Sequence, residues 1–315
     1  MKKKCAAVIG AGMAGVGAAR ELVEAGWEVT IFEKSRGWGG RCATKRWEEC
    51  LIDHGPLWFT IRDPDFRKAL ETACGADLRR IEAPITTESG ALLPAEDRFY
   101  HAQGNSRLVR ALGADIPMRT GIPVGPAANR TIEGVTFDAI ISTAPFPQTA
   151  VLAGLDDAPN PYAPCLTLLL LYSGDWPGLT ASRYAISDRS GDPLERSACE
   201  NHKLGRIRRG STALVVQASV AFSRSHLEEE PAIWSAALRA LAEERWQIPS
   251  STLQSMHPHR WRYARVEHPV PIPALPEGWH FAGDLLTESR LESAWLSGRA
   301  TARLLMESCQ GSARL

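Results

Sequence analysis

Three glycines and an acid stand near the start of the chain with a spacing that suits the grip of a pyrophosphate. Gly10, Gly12 and Gly15 follow the apolar run Ala6 to Ile9 with the G-x-G-x-x-G spacing, which Gly17 completes only in a shifted register. Gly10 permits a tight turn, Gly12 lets backbone approach a phosphate, and Gly15 lets a helix pack closely on a strand. Met13 and Ala14 fall in the first turn of that helix, whose free N–H groups and positive dipole end attract an anion. Glu33 follows the glycines by about twenty residues, the distance at which an acid reaches the ribose hydroxyls of a bound dinucleotide.

The elements that must hold these residues are legible around them. Ala6 to Ile9 reads as a buried strand. Ala14 to Ala25 reads as a helix with Val16, Ala19, Leu22 and Val23 at helical spacing. Gly26 is its stop, and Trp27 to Phe32 alternates as a second strand. Strand, turn, helix, strand and acid make a unit that binds the adenosine half of a dinucleotide.

A second glycine-rich loop, Lys34 to Thr44, follows Glu33 directly and carries Arg36, Gly39, Gly40 and Arg41. A guanidinium forks onto phosphate oxygens, and glycine backbone can lie against a cofactor. This loop resembles the extended motif of FAD-binding oxidoreductases of the amine oxidase type. In them the arginine after the Gly-Gly pair helps to hold the FAD pyrophosphate, which implies Lys34, Gly40 and Arg41 as cofactor contacts. The strings Phe32-Glu33-Lys34-Ser35-Arg36-Gly37, Gly39-Gly40-Arg41, Asp53-His54-Gly55, Trp58-Phe59-Thr60 and Arg62-Asp63-Pro64 follow the pattern of renalase and the bacterial renalase-like flavoproteins. That resemblance implies that His54, Gly55 and Pro56, with Trp58 and Phe59, pass beside the flavin ring. The family often carries Ala-Gln-Tyr-Phe where this chain has Pro56-Leu57-Trp58-Phe59, a loss of one amide and a larger ring.

Two later strings extend the resemblance. His259-Arg260-Trp261-Arg262-Tyr263-Ala264 is similar to the family segment that lies against the flavin site. It implies His259 as an active-site residue and Trp261 and Tyr263 as walls. Phe281-Ala282-Gly283-Asp284, with the helix after Ser289, resembles the closing flavin motif. There the aspartate meets a ribityl hydroxyl, and the helix start, with Arg290, Leu291 and Ala294, points at the pyrimidine end of the ring, where its dipole stabilises negative charge.

The architecture expected is α/β: a Rossmann-like FAD-binding domain of the glutathione-reductase or amine-oxidase type, with a second, α+β substrate domain inserted. The cofactor domain takes residues 1–64, 100–150 and 256–315; the substrate domain takes 65–99 and 151–255. Within them Asp65 to Cys74 reads as a helix, Gly104 to Leu112 as a turn and helix capped by Asn105 or Ser106, and Phe137 to Ser142 as a buried strand. Cys165–Tyr172, Arg183–Ser187 and Ala213–Ser219 read as strands, and Ser225–Trp246 as one or two helices with an apolar stripe. The basic run Glu200 to Arg209 reads as a solvated loop.

Composition bounds the rest. The 315 residues hold 36 Lys plus Arg and 36 Asp plus Glu, so nothing in the balance suggests a nucleic-acid partner. No apolar run approaches bilayer length, so no membrane partner is expected. Seven cysteines, an odd number at wide spacing without C-x-x-C, fit reduced thiols in a cytoplasm and no metal site. Cys42, near the cofactor loop, reads as a small core or loop residue, and the FAD as non-covalent.

The activity that the resemblance implies is oxidation of dihydro-NAD(P) isomers, the 2- or 6-dihydro forms, to NAD(P)+ with reduction of dioxygen to hydrogen peroxide. The partners are then a small reduced nicotinamide and dioxygen, and His259 orients the substrate without acting as an obligatory base. Three alternatives stand beside it. One is a flavin-dependent amine oxidase acting on a small amine within an aromatic cage. Another is a desaturase or protoporphyrinogen-oxidase-like enzyme, whose substrate domain is usually larger. The last is a non-catalytic FAD-binding protein.

Overall fold

Cys5–Ile9 is apolar on both faces because it becomes the centre of a sheet with cover on both sides. The computed structural model describes residues 3–127, 129–176, 182–188 and 193–311. In chain order its strands are β1 (Cys5–Ile9), β2 (Glu28–Glu33), β3 (Thr44–Trp47), β4 (Cys50–Asp53), β5 (Leu78–Arg80), β6 (Ile85–Thr86), β7 (Phe99–His101), β8 (Met118–Thr120) and β9 (Thr131–Ile132). They continue with β10 (Val135–Thr136), β11 (Ala139–Ser142), β12 (Tyr162–Ser173), β13 (Ala185–Ser187), β14 (Leu194–Cys199), β15 (Ser211–Ala218), β16 (Leu253–Val266) and β17 (Trp279–Phe281). The helices are α1 (Met13–Glu24), α2 (Pro64–Cys74), α3 (Ser106–Leu112), α4 (Phe146–Ala153), α5 (Val220–Ser225), α6 (Pro231–Trp246) and α7 (Leu291–Gly311).

The cofactor half is built on a five-stranded parallel sheet in the order β17-β11-β1-β2-β8. Helix α1 is buried along most of its first two turns because α7 covers its outer side. The approach is close: a Cβ on Gly17 would stand 2.5 Å from the Trp295 carbonyl oxygen. Gly17 therefore serves the crossing of α1 with α7, which accounts for its shifted register. Phe66 and Leu70 of α2 join this same core, so the start of the 65–99 segment packs with the cofactor half.

The half expected to face the substrate is a six-stranded sheet in the order β16-β12-β15-β14-β13-β6. The central strand β12 runs antiparallel to both β15 and β16 and is buried on both faces, hence its unbroken apolar run. Leu166, Leu168, Leu170 and Tyr172 pack against Trp234, Leu238, Ala242 and Trp246 of α6. Leu169 and Leu171 point the other way, onto Cys50, Ile52 and Leu57 of the cofactor half. Sheet and helix on one side and the β3–β4 hairpin on the other make three layers.

Several sequence expectations shift by the pairing. Residues 256–266, assigned to the cofactor domain, lie in β16 and hydrogen-bond to β12 of the substrate sheet. The helical stretch after 219 begins at Val220, capped by Ser219, and breaks before Pro231. Strand β14 has no counterpart in the sequence reading; its alternation is interrupted by a register shift between Leu194 and Arg196.

Candidate functional site

Two glycine loops meet over the end of β1. Gly10 turns with φ near +105°, and a Cβ there would stand 2.6 Å from Thr143 Oγ1, so the turn has no space for a side chain. The Gly39 N–H donates to the Ala11 carbonyl at 2.9 Å, and Gly40 abuts the Gly12 Cα. Gly12 itself has nothing within 4 Å of where its Cβ would be, and no side chain caps α1, which starts at Met13 and Ala14. Its first-turn N–H groups beside bare glycine backbone are suited to a pyrophosphate. Glu33 is buried; one carboxylate oxygen accepts from the Ala11 N–H at 2.8 Å and the other from the Ser35 N–H at 2.7 Å. These bonds fix the carboxylate beside the loop while each oxygen keeps a second lone pair. Lys34 points outward, with Gln148 Oε1 at 3.5 Å.

Arg41 lies in the second loop and does not stand alone. Its guanidinium forks onto Asp284, Nη1 to Oδ2 at 2.8 Å and Nη2 to Oδ1 at 2.6 Å, and donates to the Ala264 carbonyl at 3.1 Å. Two motifs separated by 243 residues are thereby joined. Ser289 Oγ also donates to Asp284, and the Gly283 N–H donates to Ser297 Oγ at 3.0 Å. Gly55 packs so tightly on the Arg41 carbonyl that any Cβ would collide with it.

From Gly55 the chain crosses the substrate sheet. The residues facing it form one cross-strand row, His259 opposite Thr167, Thr167 opposite Gln217, and Gln217 opposite Arg196. His54 lies over His259, with ring centroids 4.6 Å apart. Gln217 Nε2 donates to the Gly55 carbonyl at 2.8 Å, and Arg196 sits 5.9 Å from the Trp58 ring. Trp261 completes a box: it stacks on His54 at 5.5 Å, meets His259 edge-on at 4.3 Å, and donates from Nε1 to the His54 carbonyl at 2.8 Å. The Pro56 carbonyl accepts from Asn105 Nδ2 at 3.2 Å.

Burial sets the protonation of this box. Desolvation, with the charges of His257 and Lys45 behind it, lowers the His259 pKa to about 4. Desolvation and the neighbouring His259 lower that of His54 to about 4 as well, against a smaller opposing pull from Asp53. Both imidazoles are neutral near pH 7. His54 Nδ1 is buried and makes no well-formed hydrogen bond among the described residues.

Other expected site residues lie apart from the box. Phe59 packs in the core of the cofactor half on Phe99, opposite in direction to Trp58. Tyr263 faces Tyr162 at 5.7 Å, near the Arg41 end. At the start of α7, Arg290 donates to Thr60 Oγ1 at 2.8 Å, while Leu291 and Ala294 pack on the cofactor-half core. Glu292, absent from the sequence reading, accepts from the N–H groups of Arg62 and Asp63 at 2.6 and 2.8 Å, and so ties the end of the 54–63 segment to α7.

The run expected as a solvated loop is instead a buried charged cluster. Lys203 and Arg206, read as part of a solvated loop, are 0% and 1% exposed. They hold Asp53 and Glu200: Lys203 Nζ lies 2.8 Å from each carboxylate, and Arg206 Nη1 lies 2.6 Å from Asp53 Oδ2. Thr44 Oγ1 and the Asn105 N–H donate to the other Asp53 oxygen. Burial alone would raise the Asp53 pKa, but the two cations hold it well below the usual carboxylate range. Asn105, expected as a helix cap, instead uses its side chain on His101 and Pro56. The one sequence signal was the spacing of Glu200, Lys203 and Arg206, each three apart. Cys42 is buried, and burial pushes its thiol pKa far up, so it is a poor thiolate. Among the described residues no cluster of His, Cys, Asp or Glu could hold a metal ion, and no helix is long and apolar enough to cross a membrane.

Comparison with known proteins bears on the fold. Residues 8–72 match the family model of an NAD(P)-binding Rossmann-like domain. Over 69 residues, 22% of this chain, the sequence is 44% identical to 4,4'-diapophytoene desaturase of Staphylococcus aureus (strain Newman), and the match spans 13% of that protein's length. Cyclohexylamine oxidase from Brevibacterium oxydans IH-35A superposes with a TM-score of 0.70 at 12% identity, covering 98% of this chain and 100% of that one. A putative protoporphyrinogen oxidase from Exiguobacterium sp. 255-15 gives 0.66 at 13% identity, with the same coverage. The chain is a mixed α/β protein with a Rossmann-like domain, and over 98% of its length it shares the fold of that amine oxidase and that putative protoporphyrinogen oxidase.

Proposed function

We propose that the protein is an FAD-dependent oxidoreductase that oxidises dihydro-NAD(P) isomers to NAD(P)+ while dioxygen is reduced to hydrogen peroxide. The observation that supports the FAD reading is the contact of the two glycine loops together with the Arg41–Asp284 fork, which joins the Gly10–Gly15 loop, the Gly39–Arg41 loop and the Gly283–Asp284 motif. Gly12, the start of α1 and Glu33 would hold the adenosine diphosphate, with Arg41 on its phosphates; Asp284 and the start of α7 would hold the riboflavin half. Bound there without a covalent link, FAD supplies a two-electron acceptor that dioxygen can reoxidise.

The substrate reading rests on the box. Oxidation of a misreduced nicotinamide removes a hydride and restores the aromatic ring, so no proton need leave the substrate. The balance is dihydro-NAD(P), dioxygen and one proton going to NAD(P)+ and hydrogen peroxide. Such chemistry asks the protein to orient a flat ring and exclude water rather than to titrate. His54, His259 and Trp261 are flat, half-buried or buried, and neutral at the imidazoles.

An amine oxidase is the second reading. The same aromatic box could surround a small amine, and the likeness to cyclohexylamine oxidase favours it. A stopped-flow experiment separates the readings. The flavin-loaded protein is mixed with NADH preparations containing the 2- and 6-dihydro isomers, then with a panel of amines, and visible flavin absorption is followed. Bleaching by the isomers supports the proposal; bleaching by amines alone transfers the assignment to the second reading. No bleaching by either leaves a flavin-binding protein without this activity.

A further inference from the structure

A cavity of about 540 Å³ opens between the second glycine loop and α3, away from the His54 box. Its rim carries Arg36, Arg107 and Arg110, all exposed, and no carboxylate is among its lining residues. Among the described residues none of these three guanidinium groups makes a hydrogen bond or ion pair. That sets them apart from their neighbour Arg20, which is paired with Asp115 at 2.7 Å. Three unpaired cations around one concavity repel one another, in a chain whose formal net charge is zero. An anion would relieve that repulsion.

The wall of the cavity is as informative as its rim. Trp38 lines it, half-buried, with its ring edge seated on Gly113: a Cβ there would stand 2.5 Å from the indole. The ring also packs on the core of the cofactor half, so its position is fixed before any ligand arrives. Met118 adds a soft, polarizable contact. Guanidinium groups fork onto phosphate oxygens, and an indole offers a flat ring something to lie against. The volume falls within the range of about 300–1,000 Å³ usual for small-molecule sites. Neither Glu33, the first glycine loop nor Asp284 is among the lining residues.

We propose that this cavity binds a phosphate-bearing ligand with a flat ring, of the class of a nucleoside monophosphate or diphosphate, at a site separate from the dinucleotide strip. The test is calorimetric titration of the full, flavin-loaded chain with AMP and, in parallel, with inorganic pyrophosphate. AMP is expected to bind, with affinity falling as salt is raised. The R107Q/R110Q double variant is expected to lose at least tenfold in affinity while flavin content and unfolding midpoint stay unchanged. W38F is expected to weaken AMP but not pyrophosphate. Equal loss of both in W38F overturns the role of the ring. Absence of binding, or binding that survives the double substitution, overturns the site. Binding of AMP by the flavin-free protein alone would show the adenosine end of the cofactor strip instead, and also overturns it. Should the double variant fold poorly, R110Q alone carries the same comparison.

Discussion

Arg206 and Arg41 each close on an aspartate far away in the chain, 153 and 243 residues apart, in very different surroundings. Arg206 is sealed beside Lys203, Glu200 and Asp53, with every member of the group buried. Arg41 is about a third exposed, at 32%, and grips Asp284 where a ligand can compete. A sealed pair cannot be redirected, because either charge left alone would face an apolar interior. An accessible fork can be, because a phosphate presents the same acceptors as a carboxylate. The first contact therefore fixes the position of the chain entering His54. The second, on the proposed reading, would be the one to exchange partners when a cofactor binds.

Substitutions can break this contrast. Lys203→Met should cost about 3–5 kcal/mol, since it leaves two buried carboxylates to share one cation, Arg206. Arg41→Met should cost less, about 1–3 kcal/mol, since Asp284 is only 5% exposed but keeps the Ser289 hydroxyl. Urea unfolding of both variants measures the difference, and equal losses would erase the distinction. Acid should act on the buried side too. His54 and His259 titrate near 6.5 when unfolded and near 4 when folded, so between those values the unfolded chain binds more protons. Stability should be full above pH 6.5 and decline as pH falls towards 4, and a midpoint series across that window would show it. A double H54N/H259N variant should flatten the decline.

For cofactor retention the order reverses. Arg41→Met removes a charge-assisted fork of about 1.5–3 kcal/mol, or roughly 10- to 100-fold in flavin affinity. Flavin released on dilution and ultrafiltration reports it. At the box, His259→Ala should raise KM by about tenfold, near 1.4 kcal/mol, while the limiting rate of flavin bleaching changes little. A collapse of that limiting rate with normal binding would make His259 a chemical participant rather than an orienting one. The smallest effect is expected for Trp261→Phe, which keeps a ring but loses the Nε1 bond to the His54 carbonyl. About 1 kcal/mol of stability should go with it, read from the same unfolding curves.

Legibility in the sequence followed the range of the interactions. Gly10, Gly12, Gly15 and Glu33 were readable because strand, turn, helix and acid are consecutive, and backbone sterics act within a few residues. The charged run from Glu200 was not, because its spacing looks the same on a surface loop and in a buried cluster. Only the arrival of Asp53 decides between them. Phe59 and Trp58 show the same limit on a smaller scale: neighbours in a motif leave a strand-like segment on opposite sides, one to the core and one to the sheet.

Taken alone, then, the sequence determined that a dinucleotide loop opens the chain, that a second glycine loop follows its acid, and that an Asp-bearing strand and helix come late in the fold. Tertiary structure decided that Gly17 serves a helix crossing, that Asp53 is clamped from the other half, and that residues 256–266 belong to the substrate sheet. It also aligned His259, Thr167, Gln217 and Arg196 into one row. That row depends on the register of four strands drawn from distant parts of the chain, and a shift of one residue in any of them would turn its side chain to the other face.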